Sequence, residues 1–410
     1  MNPIRTANHR EGTSLAKVYD HVVRSLQEGD LVPGQYLPSL RDLAERFQIS
    51  RAPVHQAILR LEKEGLVRRL HGRGVQVVRS FPAPERERLK PLVQVFTPLH
   101  HSFLAQQYPS GFAHRLTAVD EWLMWYLGHE PLIRMQAAFW RNEADFALRL
   151  EECLQSPPGV IVFAKPEEVT PAAIHLLQQL RRKGVAVVHQ GSRMEVEGLD
   201  CARADFMQGQ FDLTRRVIAS GGRRMLRFQV AGRWNFELCK EAGYRAALQE
   251  APACTGFTLE APHFGVSYVV ESEMDELRRV LADAVKRLEL DTILALNDAQ
   301  AALVRIVLQE MGLERIRVTG YDAVWAEMDW TVLFARCSPA YARAAQGWQS
   351  PLSVDTHLPD VARALARLAV NRALGKLPHF PQMTLIPTAL VEEGAAPSPV
   401  PAPSAEALRP

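Results

Sequence analysis

The chain has 410 residues, enough for two or three folding units, with 47% hydrophobic and 23% charged residues, values that exclude a disordered protein or a disulfide-built scaffold. No stretch approaches the roughly 18 uninterrupted apolar residues of a membrane span, and Met1–Gly12 lacks the basic-then-apolar layout of a secretory signal, so a cytoplasmic protein without membrane contact is expected. Five cysteines, odd in number and never in a C-x-x-C pair, are expected to be reduced thiols rather than disulfides or zinc ligands. The net charge of +2 hides an asymmetry: residues 1–90 hold 16 Lys and Arg against 10 Asp and Glu (+6), the remainder 32 against 36 (−4). A polyanionic partner is therefore expected at the N-terminal end.

Taken in chain order, residues 1–12 read as a flexible start and 13–79 as a first domain. Leu15, Val18, Val22 and Leu26 recur at helical spacing, predicting a helix over about Ser14–Glu28 before Gly29-Asp30 and Pro33-Gly34 break it. Ser39 is placed to cap a helix Leu40–Phe47, and Ser50 to cap a third, in which Val54, Ala57, Ile58 and Leu61 make the apolar stripe. Pro53 is tolerable there because the first-turn N–H groups of a helix have no partner inside it. Gly65 ends that helix, and Leu66–Leu70 and Val75–Val78 flank the turn His71-Gly72-Arg73-Gly74, the pattern of a hairpin. Three helices and a hairpin predict a winged helix-turn-helix. Patterning alone leaves a plain helical bundle open.

The segments Leu37-Pro38-Ser39-Leu40-Arg41-Asp42-Leu43-Ala44, Ile49-Ser50-Arg51, Leu61-Glu62-Lys63-Glu64-Gly65-Leu66-Val67 and Gly72-Arg73-Gly74 together resemble the GntR family of transcription regulators over residues 13–79. The resemblance implies operator DNA as partner, with Arg41 as a second-helix contact, Ser50, Arg51 and His55 on the recognition helix, and His71 and Gly72 in the wing. Leu40 stands where the family usually has an acidic residue and His55 where it commonly has arginine. The base sequence read is thus not transferable from relatives.

Residues 80–91 are proline-broken and charged, a linker; 394–410 are rich in Pro, Ala and Ser, and a disordered tail is expected. Between them, β-branched runs (Leu92–Thr97, Leu132–Ala137, Val160–Ala164, Val185–His189, Leu226–Val230, Thr292–Leu296, Arg317–Gly320) alternate with helical patterns, Gln208–Ser220, Phe236–Glu250 and Glu273–Leu288 among them, and Asp298 is placed to cap Ala299–Met311. Such alternation predicts parallel α/β sheets, and the strand count favours two lobes over 92–393 with a ligand cleft at the strand ends.

This region resembles the LacI-type effector domain, itself similar to periplasmic sugar-binding proteins, most sharply in Asp205-Phe206-Met207-Gln208-Gly209, Glu241-Ala242-Gly243-Tyr244, Leu294-Ala295-Leu296-Asn297-Asp298 and Val318-Thr319-Gly320-Tyr321-Asp322. Leu385–Val391 is similar to that family's closing strand. The resemblance implies a small-molecule effector, a sugar or sugar-like metabolite, held by Lys240, Asn297, Asp298 and Asp322, although the family usually has arginine at position 240. Local readings stand beside it: a helix cap for Asp298, a strand-end turn for Asp322, a surface lysine for Lys240. His101, Ser102, Trp140 and Trp234 follow strands or precede a helix and are further cleft candidates. No P-loop, H-E-x-x-H, G-x-S-x-G or dinucleotide-binding glycine pattern is present, so neither catalysis nor a cofactor is expected. The chain reads as a ligand-responsive regulator, a repressor acting as a homodimer. The alternatives are a regulator sensing a non-sugar metabolite and a pyridoxal-phosphate-type enzyme fusion.

Overall fold

The computed structural model describes residues 15–26, 30–70, 74–79, 90–98, 111–164, 170–191, 196, 198–231, 234–261, 269–325 and 328–394. The chain forms two compact units, residues 1–91 and 92–410.

In the first unit, residues 15–26 (α1) are helical, followed by α2 (Leu40–Phe47), α3 (Arg51–Lys63) and the antiparallel hairpin β1 (Val67–Leu70) and β2 (Gly74–Val77). Ser39 and Asp42 cap α2 reciprocally: the Asp42 N–H donates to Ser39 Oγ (3.1 Å) and the Ser39 N–H to Asp42 Oδ2 (3.2 Å). Val18, Val22, Leu26, Leu43, Val54, Ala57, Ile58 and Leu61 close one core with Leu66, Val67, Val75 and Val77 of the hairpin. Pro53 is buried in the first turn of α3, as its missing donor allows.

The second unit contains β3 (Leu92–Pro98), α4 (Gly111–Gly128), β4 (Arg134–Trp140), α5 (Glu143–Gln155), β5 (Val160–Phe163), α6 (Pro171–Arg182), β6 (Ala186–Gln190), β7 (Asp200–Ala204), α7 (Phe206–Ala219), β8 (Arg224–Gln229), α8 (Asn235–Gln249), β9 (Thr255–Glu260), α9 (Glu271–Leu288), β10 (Thr292–Leu294), α10 (Asp298–Glu310), β11 (Arg317–Thr319), α11 (Trp330–Leu333), α12 (Pro339–Ala345), β12 (Leu352–Asp355), α13 (Leu358–Ala373), β13 (Met383–Ile386) and β14 (Ala389–Glu392). Its first lobe is a parallel sheet in the order β13-β7-β6-β5-β3-β4, its second a parallel sheet in the order β11-β10-β8-β9. Strands buried on both faces explain the near-continuous apolar runs of β5 and β6.

The chain passes between the lobes three times. β7 of the first lobe runs into α7, which packs on α8 of the second; β12 returns through residues 355–358 into α13, which covers β5, β6 and β7; and β13 leads at residues 386–389 into β14. The expected single closing strand is therefore two strands, β13 on β7 and β14 antiparallel to β12, broken at Pro387-Thr388 because each half pairs in a different lobe. The helix after β10 also differs: Asn297, not Asp298, is its cap, with extended backbone and Oδ1 accepting the Gln300 N–H at 2.8 Å. Among the described residues no helix is long and apolar enough to cross a membrane, and all five cysteines are free.

Candidate functional site: a basic winged helix and an interlobe cleft

On the first unit the exposed side chains of α3 gather at its N-terminal end. Ser50 takes the cap position with extended backbone, yet its hydroxyl makes no cap hydrogen bond, and Ser50, Arg51 and Gln56 all face solvent. The first-turn N–H groups of such a helix attract anions, and Arg51 adds a full charge. Arg41 is exposed in the first turn of α2. His55 is only half exposed, because its Nε2 lies 3.4 Å from Nη1 of Arg69 on the wing strand β1. Glu62 fixes that arginine through its backbone N–H (3.0 Å) and Nε (2.7 Å). Arg69, with exposed Arg68 beside it, is the basic element that the sequence reading missed; the Arg68-Arg69 pair before the wing turn was its visible signal. His71 and Gly72 lie outside the described residues.

In the second unit, the carboxyl ends of β8, β10 and β11 carry the predicted effector residues. Asn297, half-buried, spends its side-chain oxygen on the cap of α10. Asp298 is 0% exposed and acts on the loop after β11: the Val324 N–H donates to its Oδ2 at 2.8 Å, and its own N–H donates to the Tyr321 carbonyl at 3.0 Å. A Cβ at Gly320 would collide with Asp298 Oδ1, so the Asn-Asp and Gly-Tyr-Asp motifs are one mechanical unit. Asp298 thus belongs to the floor under the loop rather than to the surface of the cleft, because its carboxylate is enclosed by the segment it holds. That loop sets Asp322, half-buried, at φ 79° and Ala323 at φ 50°. Two consecutive non-glycine residues in the left-handed region store strain of the kind that collects at ligand clamps.

Lys240 corrects its surface reading: it is 5% exposed, donates to the Leu296 carbonyl at 3.2 Å, and has Nζ 3.5 Å from the Tyr321 ring centroid with the Phe206 and Phe236 rings farther out. Burial pushes its pKa down, while the nearby Asp322 and Glu237 carboxylates act in the opposite direction. Beside it Arg227 of β8, fully buried, meets Glu237 (2.8 Å) and Glu241 (2.7 Å) of α8. Across the seam, Asn235 Nδ2 donates to the Gly191 carbonyl at the end of β6 (2.7 Å), and Arg203 Nη1 of β7 donates to Cys239 Sγ (3.2 Å), so α8 touches the first lobe at two points. Arg203, Arg227, Asn235 and Glu237 had no motif to mark them. Trp140 is a core residue packed edge-on against Phe146, which removes it from the cleft. Trp234, half-buried, donates its indole N–H to the Ala231 carbonyl. His101 and Ser102 are outside the described residues. Among the described residues no three metal-ligating side chains come together.

Residues 15–77 match the family model described as bacterial regulatory proteins, gntR family. Over 309 residues, 72% of this chain and 78% of the relative, the chain is 25% identical to the arabinose metabolism transcriptional repressor of Geobacillus stearothermophilus. Over 61 residues, 15% of this chain and 25% of that protein, it is 43% identical to the HTH-type transcriptional repressor NagR of Bacillus subtilis (strain 168). Among solved structures, the transcriptional regulator CelR in complex with cellobiose aligns with TM-score 0.53 and 17% identity, covering 88% of this chain and 100% of that one. A Mycobacterium smegmatis ABC transporter solute-binding protein with bound glycerol gives 0.53 and 18% over 75% and 96%. A LacI family regulator of Enterococcus faecium with bound ribose gives 0.51 and 12% over 73% and 97%. The fold is therefore a GntR-type winged helix-turn-helix followed by a two-lobed domain of the kind found in LacI-type regulators and solute-binding proteins. The relatives are regulators and binding proteins.

Proposed function

We propose that this chain is a one-component transcription regulator, a repressor, whose first unit binds operator DNA and whose second unit senses a sugar or sugar-like polyol held between its lobes. The observation that carries the reading is the joining, in one chain, of a GntR-type reading head to a two-lobed domain with a strained, carboxylate-bearing loop at its cleft. On the first unit Arg41, Ser50 and Arg51 contact DNA, joined by His55 and Arg69 where α3 meets the wing, and His71 and Gly72 are the wing contacts that the family resemblance implies. Arginine reads guanine bidentately or holds phosphate, and the exposed N-terminus of α3 supplies N–H groups for a phosphate oxygen.

On the second unit Asp322 accepts hydroxyls of the effector, Asn297 lies beside it, Lys240 lines the floor, and Asp298 holds the loop in place. A carboxylate and an amide at strand ends suit neighbouring hydroxyls of a polyol, and the name of the Geobacillus relative supports a sugar. The three interlobe crossings make a hinge; closure on the effector alters the operator-bound arrangement of a homodimer, which reads a two-fold site with half-sites about one helical turn apart. The protein acts in the cytoplasm, needs no cofactor and catalyses nothing. A metabolite other than a sugar is the second reading, favoured by the replacement of the family's arginine with Lys240.

Calorimetry with pentoses, hexoses and disaccharides, with and without operator DNA, tests the reading. A sugar that binds and shifts operator affinity roughly 5–150-fold is expected, with operator shifting sugar affinity by the same factor. Sugar affinity identical with and without operator refutes the coupling. A monomer on operator DNA, seen by light scattering, refutes the dimer.

A further inference from the structure

Arg227, Arg372 and Arg203 are all largely withdrawn from water, and the first two show how this chain neutralises such a charge. Arg227 meets Glu237 and Glu241, and Arg372 of α13 grips Asp200 with Nη2 at 2.7 Å from Oδ1. Arg203, 9% exposed, has no carboxylate within ion-pair distance among the described residues. Among the described residues it donates to the Cys239 thiol, a weak acceptor, and its buried Nε has no acceptor. Taking a guanidinium out of water without an anion is uphill, so among the described residues the site is one negative group short.

Its position says where that group comes from. Arg203 is the penultimate residue of β7, immediately before the first interlobe crossing, with its stem against Gly191 at the end of β6 and its guanidinium on α8 of the other lobe. Four residues before Cys239, Asn235 makes the second bridge across the same seam. The uncompensated charge therefore lies at the carboxyl ends of the first lobe's strands, where an effector between the lobes is reached from both sides.

Resting on the sugar reading above, we infer that the effector is an anionic sugar derivative, a sugar phosphate or a sugar acid, and that Arg203 takes its anionic group. The planar guanidinium fork matches both phosphate and carboxylate and engages either through two parallel hydrogen bonds. The neutral hydroxyls are left to Asp322 and Asn297 in the second lobe. Such a ligand ties one lobe to the other, which a neutral sugar held by the second lobe alone does not.

The test is calorimetry on the full chain with matched sets: a neutral aldose, its terminal phosphate and its acid, with inorganic phosphate as reference, at low and high salt. One of the two anions is expected to bind at least about ten-fold tighter than its neutral parent, tighter than inorganic phosphate, and with an advantage that shrinks as salt rises. Arg203→Gln brings the anion-to-neutral ratio toward one, and Arg203→Lys, which keeps the charge without the fork, retains part of it. A neutral sugar that binds as tightly as both anions, inorganic phosphate that binds as tightly as the sugar phosphate, or a ratio unchanged in Arg203→Gln overturns the inference and leaves the sugar reading standing. If no member of any set binds while another class of metabolite does, the sugar reading itself fails, and this inference with it.

Discussion

Removing the Asp298 carboxylate tests whether the effector loop is held from beneath. In Asp298→Ala the Val324 N–H, itself buried, loses its acceptor at 2.8 Å. An orphaned buried donor costs about 1–3 kcal/mol, and the lost hydrogen bond was charge-assisted; against this stands relief from burying a carboxylate. The net expectation is about 2–3 kcal/mol, a fall of roughly 3–5 °C in the Tm of the second unit. Asp298→Asn, which keeps an acceptor for Val324, is expected to lose about half as much. Because the released loop carries Asp322 at φ 79°, effector affinity falls together with stability although Asp298 does not face the cleft. Gly320→Ala, whose Cβ collides with Asp298, destabilises as well, and part of that cost disappears in the Asp298→Ala background. The assay is differential scanning calorimetry alongside effector titration. Wild-type stability in Asp298→Ala with effector binding lost refutes the argument and makes Asp298 a direct ligand.

Arg41→Ala and Arg51→Ala are each expected to lose about 1–3 kcal/mol of operator affinity with effector binding intact, and fluorescence anisotropy showing wild-type affinity in either places the reading surface elsewhere. Asp322→Gly should raise stability by roughly 0.5–1 kcal/mol, because glycine occupies the left-handed region without strain, while effector affinity falls; denaturant titration and calorimetry read the two effects separately. His189, stacked on Phe163 and 0% exposed, has its pKa pushed down to about 4 by burial. It therefore folds neutral while the unfolded chain protonates near 6.5, so its contribution is fully present above about pH 6.5 and is lost as pH falls toward 4. Between about pH 7.5 and 5 this amounts to about 2 kcal/mol, and urea midpoints that drop equally in wild type and His189→Leu over that range contradict it.

The elements read directly from the chain are those whose causes are local. The Ser39 cap, the stripe Val54, Ala57, Ile58 and Leu61, the tolerated Pro53 and the wing flanks depend on residues within a few positions of one another, and the structure repeats them nearly residue for residue. β3, β5 and β6 likewise advertise burial through β-branched runs. β7 does not: Asp-Cys-Ala-Arg-Ala has no strand preference of its own and is extended because β6 and β13 flank it. Two halves of one apparent closing strand separate at Pro387-Thr388 because their partners, β7 and β12, lie in different lobes, which no local pattern records. The site divides in the same way. Asn297, Asp298 and Asp322 were visible as motifs, yet Asp298 took its role from Val324, 26 residues away, and Lys240 its burial from Tyr321. Arg203 is defined by the Cys239 thiol it meets across the seam, Arg227 by its two carboxylates, and Arg69 by Glu62 on the preceding helix. Periodicity and capping report energies between residues a turn or a pleat apart, whereas the charge balance of a cleft is set by side chains that only folding brings together.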